Sequence, residues 1–145
     1  MAHDPSATRR LLAIDDSTDS AELVARVAMG CGYEARAASD SRTLRTLIAS
    51  YRPDMITLDL CMPETDGIDL ISILQETHFT GSLMIISGQD DWFRTAVTKL
   101  AEARGLKVIG DLQKPFDIGA LRASLARERY ATNRSGERMD AWNAA

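Results

Sequence analysis

Short apolar runs alternate along this chain with longer amphipathic segments, and that alternation limits the possible folds more than any other feature. Leu11–Ile14, Met55–Leu58 (with Thr57 its one polar member) and Leu83–Ile86 are four-residue, predominantly apolar runs, as expected of strands covered on both faces. Val108–Ile109 is a fourth, shorter run. Tyr33–Ala38 alternates weakly, with Tyr33, Ala35 and Ala37 against Glu34 and Arg36, as a strand nearer an edge would. Between these runs the period becomes helical. Leu23, Val24, Val27 and Ala28 form one stripe, and Leu44, Leu47, Ile48 and Tyr51 a second. Ile68, Ile71 and Leu74 form a third, Phe93, Val97 and Leu100 a fourth, and Ile118, Leu121 and Leu125 a fifth. Gly30 and Gly32 close the first helix, Pro53 follows the second, Gly81 the third and Gly105 the fourth. Five strand–helix pairs predict an α/β doubly wound domain, a parallel sheet with helices on both faces joined by right-handed crossovers. In such a sheet the chemistry lies outside the carboxyl ends of the strands.

Composition narrows the function. With 145 residues the chain makes one compact domain that buries roughly 70% of its unfolded surface and needs neither disulfide nor structural metal to fold. Its 45% hydrophobic and 26% charged residues exclude global disorder, collagen and coiled coil. A net charge of −4 is a poor match for phosphate-neutralising surface and argues against direct nucleic-acid binding. Cys31 and Cys61 belong to no CxxC pair and read as two reduced, mostly buried thiols. His3 and His78 lack metal-ligand spacing, and His78 reads as a solvated loop residue after a helix end. Met1–Thr8 is polar and unlike a signal peptide, and no apolar run approaches the roughly 20 residues that span a bilayer. The expectation is a cytoplasmic protein with no membrane contact. Residues 1–8 read as a disordered N-terminus and 129–145 as a flexible polar tail, in which Trp142 could dock on the domain or a partner.

The polar residues that end the strands form a pattern. Asp15-Asp16 follows the first strand, Asp59 the third, Ser87-Gly88 the fourth, and Lys114-Pro115 the fifth. Taken singly each has a plainer reading: Asp15-Asp16-Ser17 as an N-cap cluster, Asp59 as a turn acid before Pro63, the others as loop residues. A parallel sheet, however, would bring all of them to one edge. Three close carboxylates repel, and a hard, oxygen-ligated cation relieves them; Mg2+ fits best, being held by one or two carboxylates together with waters and phosphate oxygens. A lysine and a hydroxyl beside the cluster would steady a further anion. The parts describe a nucleophilic carboxylate whose phosphoryl oxygens meet a metal ion, a lysine and a hydroxyl, giving an aspartyl phosphate.

These residues resemble the receiver domain of two-component response regulators. The matching stretches are Leu11-Leu12-Ala13-Ile14-Asp15-Asp16, then Asp59-Leu60-Cys61-Met62-Pro63-Glu64-Thr65-Asp66-Gly67, which is similar to the family's D-x-x-M-P-x-x-D-G signature. Ser87 and Lys114-Pro115-Phe116 complete the set, and the resemblance spans about residues 9–128. It implies a flavodoxin-like fold with strand order 2-1-3-4-5. It implies that Asp59 is the phosphoacceptor, taking the group from a histidine kinase or a histidine phosphotransfer protein. Asp16 and Asp59 would then bind Mg2+ directly, with the Cys61 backbone carbonyl, and Asp15 would act through water. Lys114 would pair with the phosphoryl group, Ser87 and the Gly88 amide would meet its oxygens, and Pro115 would follow a cis peptide bond. Cys61 and Gln89 would flank the path of the hydrolytic water, and since neither is strongly acidic or basic, slow self-dephosphorylation is expected.

The chain departs from the family three residues before Lys114, where the family usually has Tyr or Phe and this sequence has Asp111. Trp92 and Phe93, after the fourth strand, would either supply substitute aromatic surface or cap the core. The resulting expectation is a stand-alone receiver, not an enzyme beyond its own phosphorylation and dephosphorylation. It would switch the surface of the fourth helix and fifth strand toward a downstream protein, as a monomer or as a dimer formed on phosphorylation. Two alternatives remain open at this point. One is a constitutive receiver-like scaffold, for which Asp111 speaks. The other is an aspartyl-phosphate phosphatase, which would need a second acid where this chain has Cys61.

Overall fold

The computed structural model describes residues 8–60, 66–88 and 90–130. Its five strands are β1 (Arg10–Ile14), β2 (Glu34–Ala38), β3 (Met55–Leu58), β4 (Ser82–Ser87) and β5 (Lys107–Gln113). They form one sheet in the order β2-β1-β3-β4-β5, with every neighbouring pair parallel, as the resemblance implied. The helices are α1 (Thr18–Gly30), α2 (Leu44–Tyr51, entered through a 3-10 turn at Ser41–Thr43), α3 (Gly67–Glu76), α4 (Asp91–Ala103) and α5, over residues 118–130.

The unbroken apolar runs are explained by the two faces of the sheet, since successive side chains along a strand point opposite ways. Leu12, Ile14, Ile56, Leu58, Leu83 and Ile85 pack with Leu44, Leu70, Leu74 and Val97 from α2, α3 and α4. Leu11, Ala13, Met55, Met84 and Ile86 pack with Val24, Val27 and Ala28 of α1 and Leu121 and Leu125 of α5. The edge strand β2 is only partly covered, in keeping with its weak alternation.

Several boundaries and faces differ from the pattern. Tyr33 precedes its strand; it tucks under the sheet and donates its hydroxyl hydrogen to the Leu125 carbonyl at 2.9 Å. Ile68 is exposed, and α3 buries Gly67, Leu70, Ile71 and Leu74 instead. The cause is a close approach at Gly67, where an added Cβ would stand 3.2 Å from Leu60 and 3.6 Å from Val97, turning Ile68 outward. Ile118 is likewise exposed, while Leu121 and Leu125 are fully buried. Strand β5 runs well past Val108–Ile109 and pairs irregularly with β4: Leu83 faces Val108 but Met84 faces Gly110, so Ile109 is an extra residue. Cys31 is half-buried, with Sγ 3.7 Å from the Arg122 carbonyl oxygen, and Cys61 lies outside the described residues, as do the segments 1–7 and 131–145 and, with them, Trp142. His78 is exposed and follows α3 with φ 57°, a loop position as expected.

Candidate phosphoacceptor site

Parallel pairing delivers the strand-end residues to one edge. The Asp15 amide donates to the Ala38 carbonyl at 3.1 Å and the Asp59 amide to Ile14 at 3.0 Å, so the ladder runs one residue past β1 and β3 and holds both acids rigidly. On the other side the Lys114 amide donates to the Ser87 carbonyl at 2.9 Å, tying the end of β5 to the end of β4. The peptide between Lys114 and Pro115 is cis.

The N-cap of α1 is Ser17, whose hydroxyl accepts from the Ser20 amide, so neither Asp15 nor Asp16 serves as that cap. Asp15 Oδ1 accepts from the Ser17 amide at 2.9 Å, and its other oxygen pairs with Lys114 Nζ. The same ammonium lies 3.4 Å from Asp59 Oδ2. Asp15 and Asp59 are buried while Asp16 is exposed, and carboxylate oxygens of all three lie within 4.8 Å of one another. Burial by itself would lower the Lys114 pKa, but its hydrogen bond to Asp15 and the charges of Asp59 and Asp15 outweigh this and hold it above the ordinary value. Lys114 therefore stands as a fixed cation among three acids, a donor set of hard oxygens that suits a small divalent ion such as Mg2+. Ser87 is wholly buried at the end of β4, and Gly88 follows it in the exposed loop toward α4. Asp66 caps α3, accepting from the Asp69 amide at 2.8 Å. The Cys61 carbonyl and Gln89 lie outside the described residues.

Of the residues expected at the switch and output face, Ser87 ends β4 at this edge, Asp111 lies on β5, and Trp92 and Phe93 lie on the first turn of α4. Trp92 and Phe93 separate in role: Phe93 packs against the core, whereas Trp92 on the first turn of α4 is 77% exposed. Asp111, on β5, has an ion-pair partner that the sequence reading missed, Arg94 of α4, with Nε 3.6 Å from Asp111 Oδ1. Arg94 is buried and its Nη2 also meets Asp91 Oδ1 at 2.6 Å. A signal for it existed: Arg94 occupies the i−3 position of the buried stripe Arg94, Val97, Ala101, where an unpaired charge would be costly.

The family model of the response regulator receiver domain matches residues 11–126. Response regulator MprA of Mycolicibacterium vanbaalenii is 33% identical over 128 residues, covering 87% of this chain and 51% of that protein. Nitrogen assimilation regulatory protein NtrX of Azorhizobium caulinodans is 33% identical over 123 residues, covering 83% of this chain and 25% of that protein. The chain thus spans about half of one relative and a quarter of the other. A response regulator from Colwellia psychrerythraea, known from its crystal structure, superposes with a TM-score of 0.76 at 30% identity, over 86% of this chain and 99% of that one.

Proposed function

The chain belongs to the response regulator receiver domain family, and from that premise we propose that Asp59 is its phosphoacceptor, in a unit spanning residues 9–128. A carboxylate oxygen of Asp59 bonds to phosphorus as the phosphorus–nitrogen bond of a donor phosphohistidine breaks, leaving an acyl phosphate on Asp59 and a free imidazole on the kinase or phosphotransfer protein. The observation that carries this reading is the buried pair of Asp15 and Asp59 around Lys114, with Asp16 at the rim. Lys114 would meet a phosphoryl oxygen from the side of Asp59 on which it already sits, and the Ser87 hydroxyl and Gly88 amide would take others. Asp16 and Asp59 would hold Mg2+, with Asp15 acting through water, and the ion would supply positive charge against the crowded oxygens.

Phosphorylation adds about −1.5 to −2 charge at this edge of the sheet. We assign the output to protein binding on the α4–β5 face, in the cytoplasm, with the phosphoryl group as the bias on a two-state element. Among the described residues no helix is long and apolar enough to cross a membrane.

The test is phosphoryl uptake from acetyl phosphate, followed by intact mass with and without Mg2+. A gain of one phosphoryl group that needs Mg2+ and is lost in Asp59→Asn is the expected result. A wild-type chain that gains nothing from acetyl phosphate or from phosphorylated kinase would instead mark a scaffold that works without phosphate.

A further inference from the structure

Arg94 bridges two elements that both lead back to the phosphoacceptor edge. Its guanidinium meets Asp91 on the first turn of α4 and Asp111 on β5, and the residue is buried. Asp91 comes four residues after Ser87, and the loop between them has no other secondary structure among its described residues. Asp111 comes three residues before Lys114, whose amide is bound to the Ser87 carbonyl. Asp111 reaches the α4 side of the sheet because of the extra residue Ile109. Before it, Val108 faces α4 beside Leu83; after it, Asp111 aligns with Ile85, which packs on that same face, and Leu112 with Ile86 on the other. Simple alternation from Val108 would have sent residue 111 to the opposite side.

We infer that the Asp91–Arg94–Asp111 ion bridge is the device by which this chain couples occupancy of Asp59 to its α4–β5 face. The inference rests on Asp59 accepting a phosphoryl group. Arg94 belongs to α4 with Asp91 and reaches Asp111 of β5 at ion-pair distance through Nε, so the charge attraction draws the start of α4 toward β5. Charge arriving at Asp59 acts on Ser87 and Gly88 at one anchor and on Lys114 at the other. A shift of either anchor moves one carboxylate relative to the other, and the guanidinium must then choose between them. Trp92, next to Asp91 and largely exposed, moves with that choice.

The experiment uses Trp92 as its reporter, in a Trp142→Phe background where it is the only tryptophan. Emission is recorded before and after saturation with acetyl phosphate and Mg2+, with uptake measured by intact mass on the same samples. Asp111→Asn is nearly isosteric at a partly exposed position, so it tests the charge without emptying the core; Asp91→Asn tests the other carboxylate. The expected result is full uptake in both variants with at least half of the wild-type emission change lost, and retention of that change in Asp111→Glu. An undiminished Trp92 response in Asp111→Asn and Asp91→Asn overturns the bridge while leaving the phosphoacceptor intact. So does wild-type uptake without any Trp92 response. A wild type that takes up no phosphoryl group overturns the phosphoacceptor reading and the bridge with it.

Discussion

The ammonium of Lys114 lies 3.4 Å from Oδ2 of Asp59 and is also paired with Asp15, so one cation, tethered at the end of β5, sits between the acids that end β1 and β3. Two buried carboxylates this close would repel without it. Under the proposed reading the lysine would preorganise Asp59 as the nucleophile and stand ready for the anion formed there. Replacing it with methionine keeps most of the stem and removes the charge. Uptake from acetyl phosphate by Lys114→Met should fall by at least about tenfold, read as the rate of mass gain, since a preorganised charge at a developing anion is commonly worth that much or more. Equal rates in the two proteins would remove Lys114 from the chemistry.

The three carboxylates within 4.8 Å should make Mg2+ a stabilising ligand even without phosphate. At a concentration 100 times its Kd the ion contributes about 2.7 kcal/mol, or a rise in Tm of roughly 5–10 °C for a domain of this size. Asp16→Asn removes the most accessible donor and should shrink the rise. Differential scanning calorimetry with and without Mg2+ decides the matter, and a Tm that ignores Mg2+ in the wild type speaks against the site.

Stability should fall in alkali. Lys114 has a native pKa held above its ordinary 10.5 by Asp15 and Asp59 despite its burial. Burial, with Glu34 adding to it, raises the Tyr51 hydroxyl to about 12, and burial with Glu128 raises Tyr33 further still. In each case the folded state holds its proton more tightly than the unfolded state. The stabilisation is therefore complete below the unfolded pKa values near 10 and disappears as pH climbs through the folded ones. Urea midpoints should be level between pH 7 and roughly 9 and decline from about pH 10 upward. A midpoint still level at pH 11 would contradict these assignments.

Gly81 is required by space. A Cβ built there would stand 2.2 Å from the Asp54 carbonyl oxygen, which accepts from the Ser82 amide where β3 and β4 begin to pair. Gly81→Ala must push those backbones apart and should cost about 1–3 kcal/mol, an overpacking effect. Gly30, at the end of α1, has nothing within 4 Å of an added Cβ. Gly30→Ala should range from neutral to about 1 kcal/mol more stable. Denaturant titration of the pair gives the contrast, and equal stabilities would show that the Asp54 carbonyl gives way freely.

Much of the fold was legible because its signals are local. A four-residue apolar run such as Leu83–Ile86 needs both faces covered wherever it sits, and a stripe such as Leu44, Leu47, Ile48 and Tyr51 needs a neighbour at helical spacing. Asp15, Asp16, Asp59, Ser87 and Lys114 could be placed at one edge because parallel strands all point the same way. The outward turn of Ile68 is not legible in this way, because how far α3 rolls on the sheet depends on close contacts such as Gly67 against Leu60 and Val97. Nor is the role of Arg94, because a charged residue within an apolar stripe looks like a break in the pattern until its partners are seen.

Strand polarity, the alternation of period and the residues that end each strand were determined by the sequence alone, and with them the parallel sheet and the edge where its acids meet. The tertiary structure decided which face each later side chain of β5 takes. Register depends on pairing with β4, and one extra residue at Ile109 reverses the phase of all that follows. It thereby decided that Asp111 faces α4 and meets a buried arginine, and the packing of α4 decided that Phe93 joins the core while Trp92 stays in solvent. Burial and charge pairing at those positions come from contacts between distant segments, which no local period encodes.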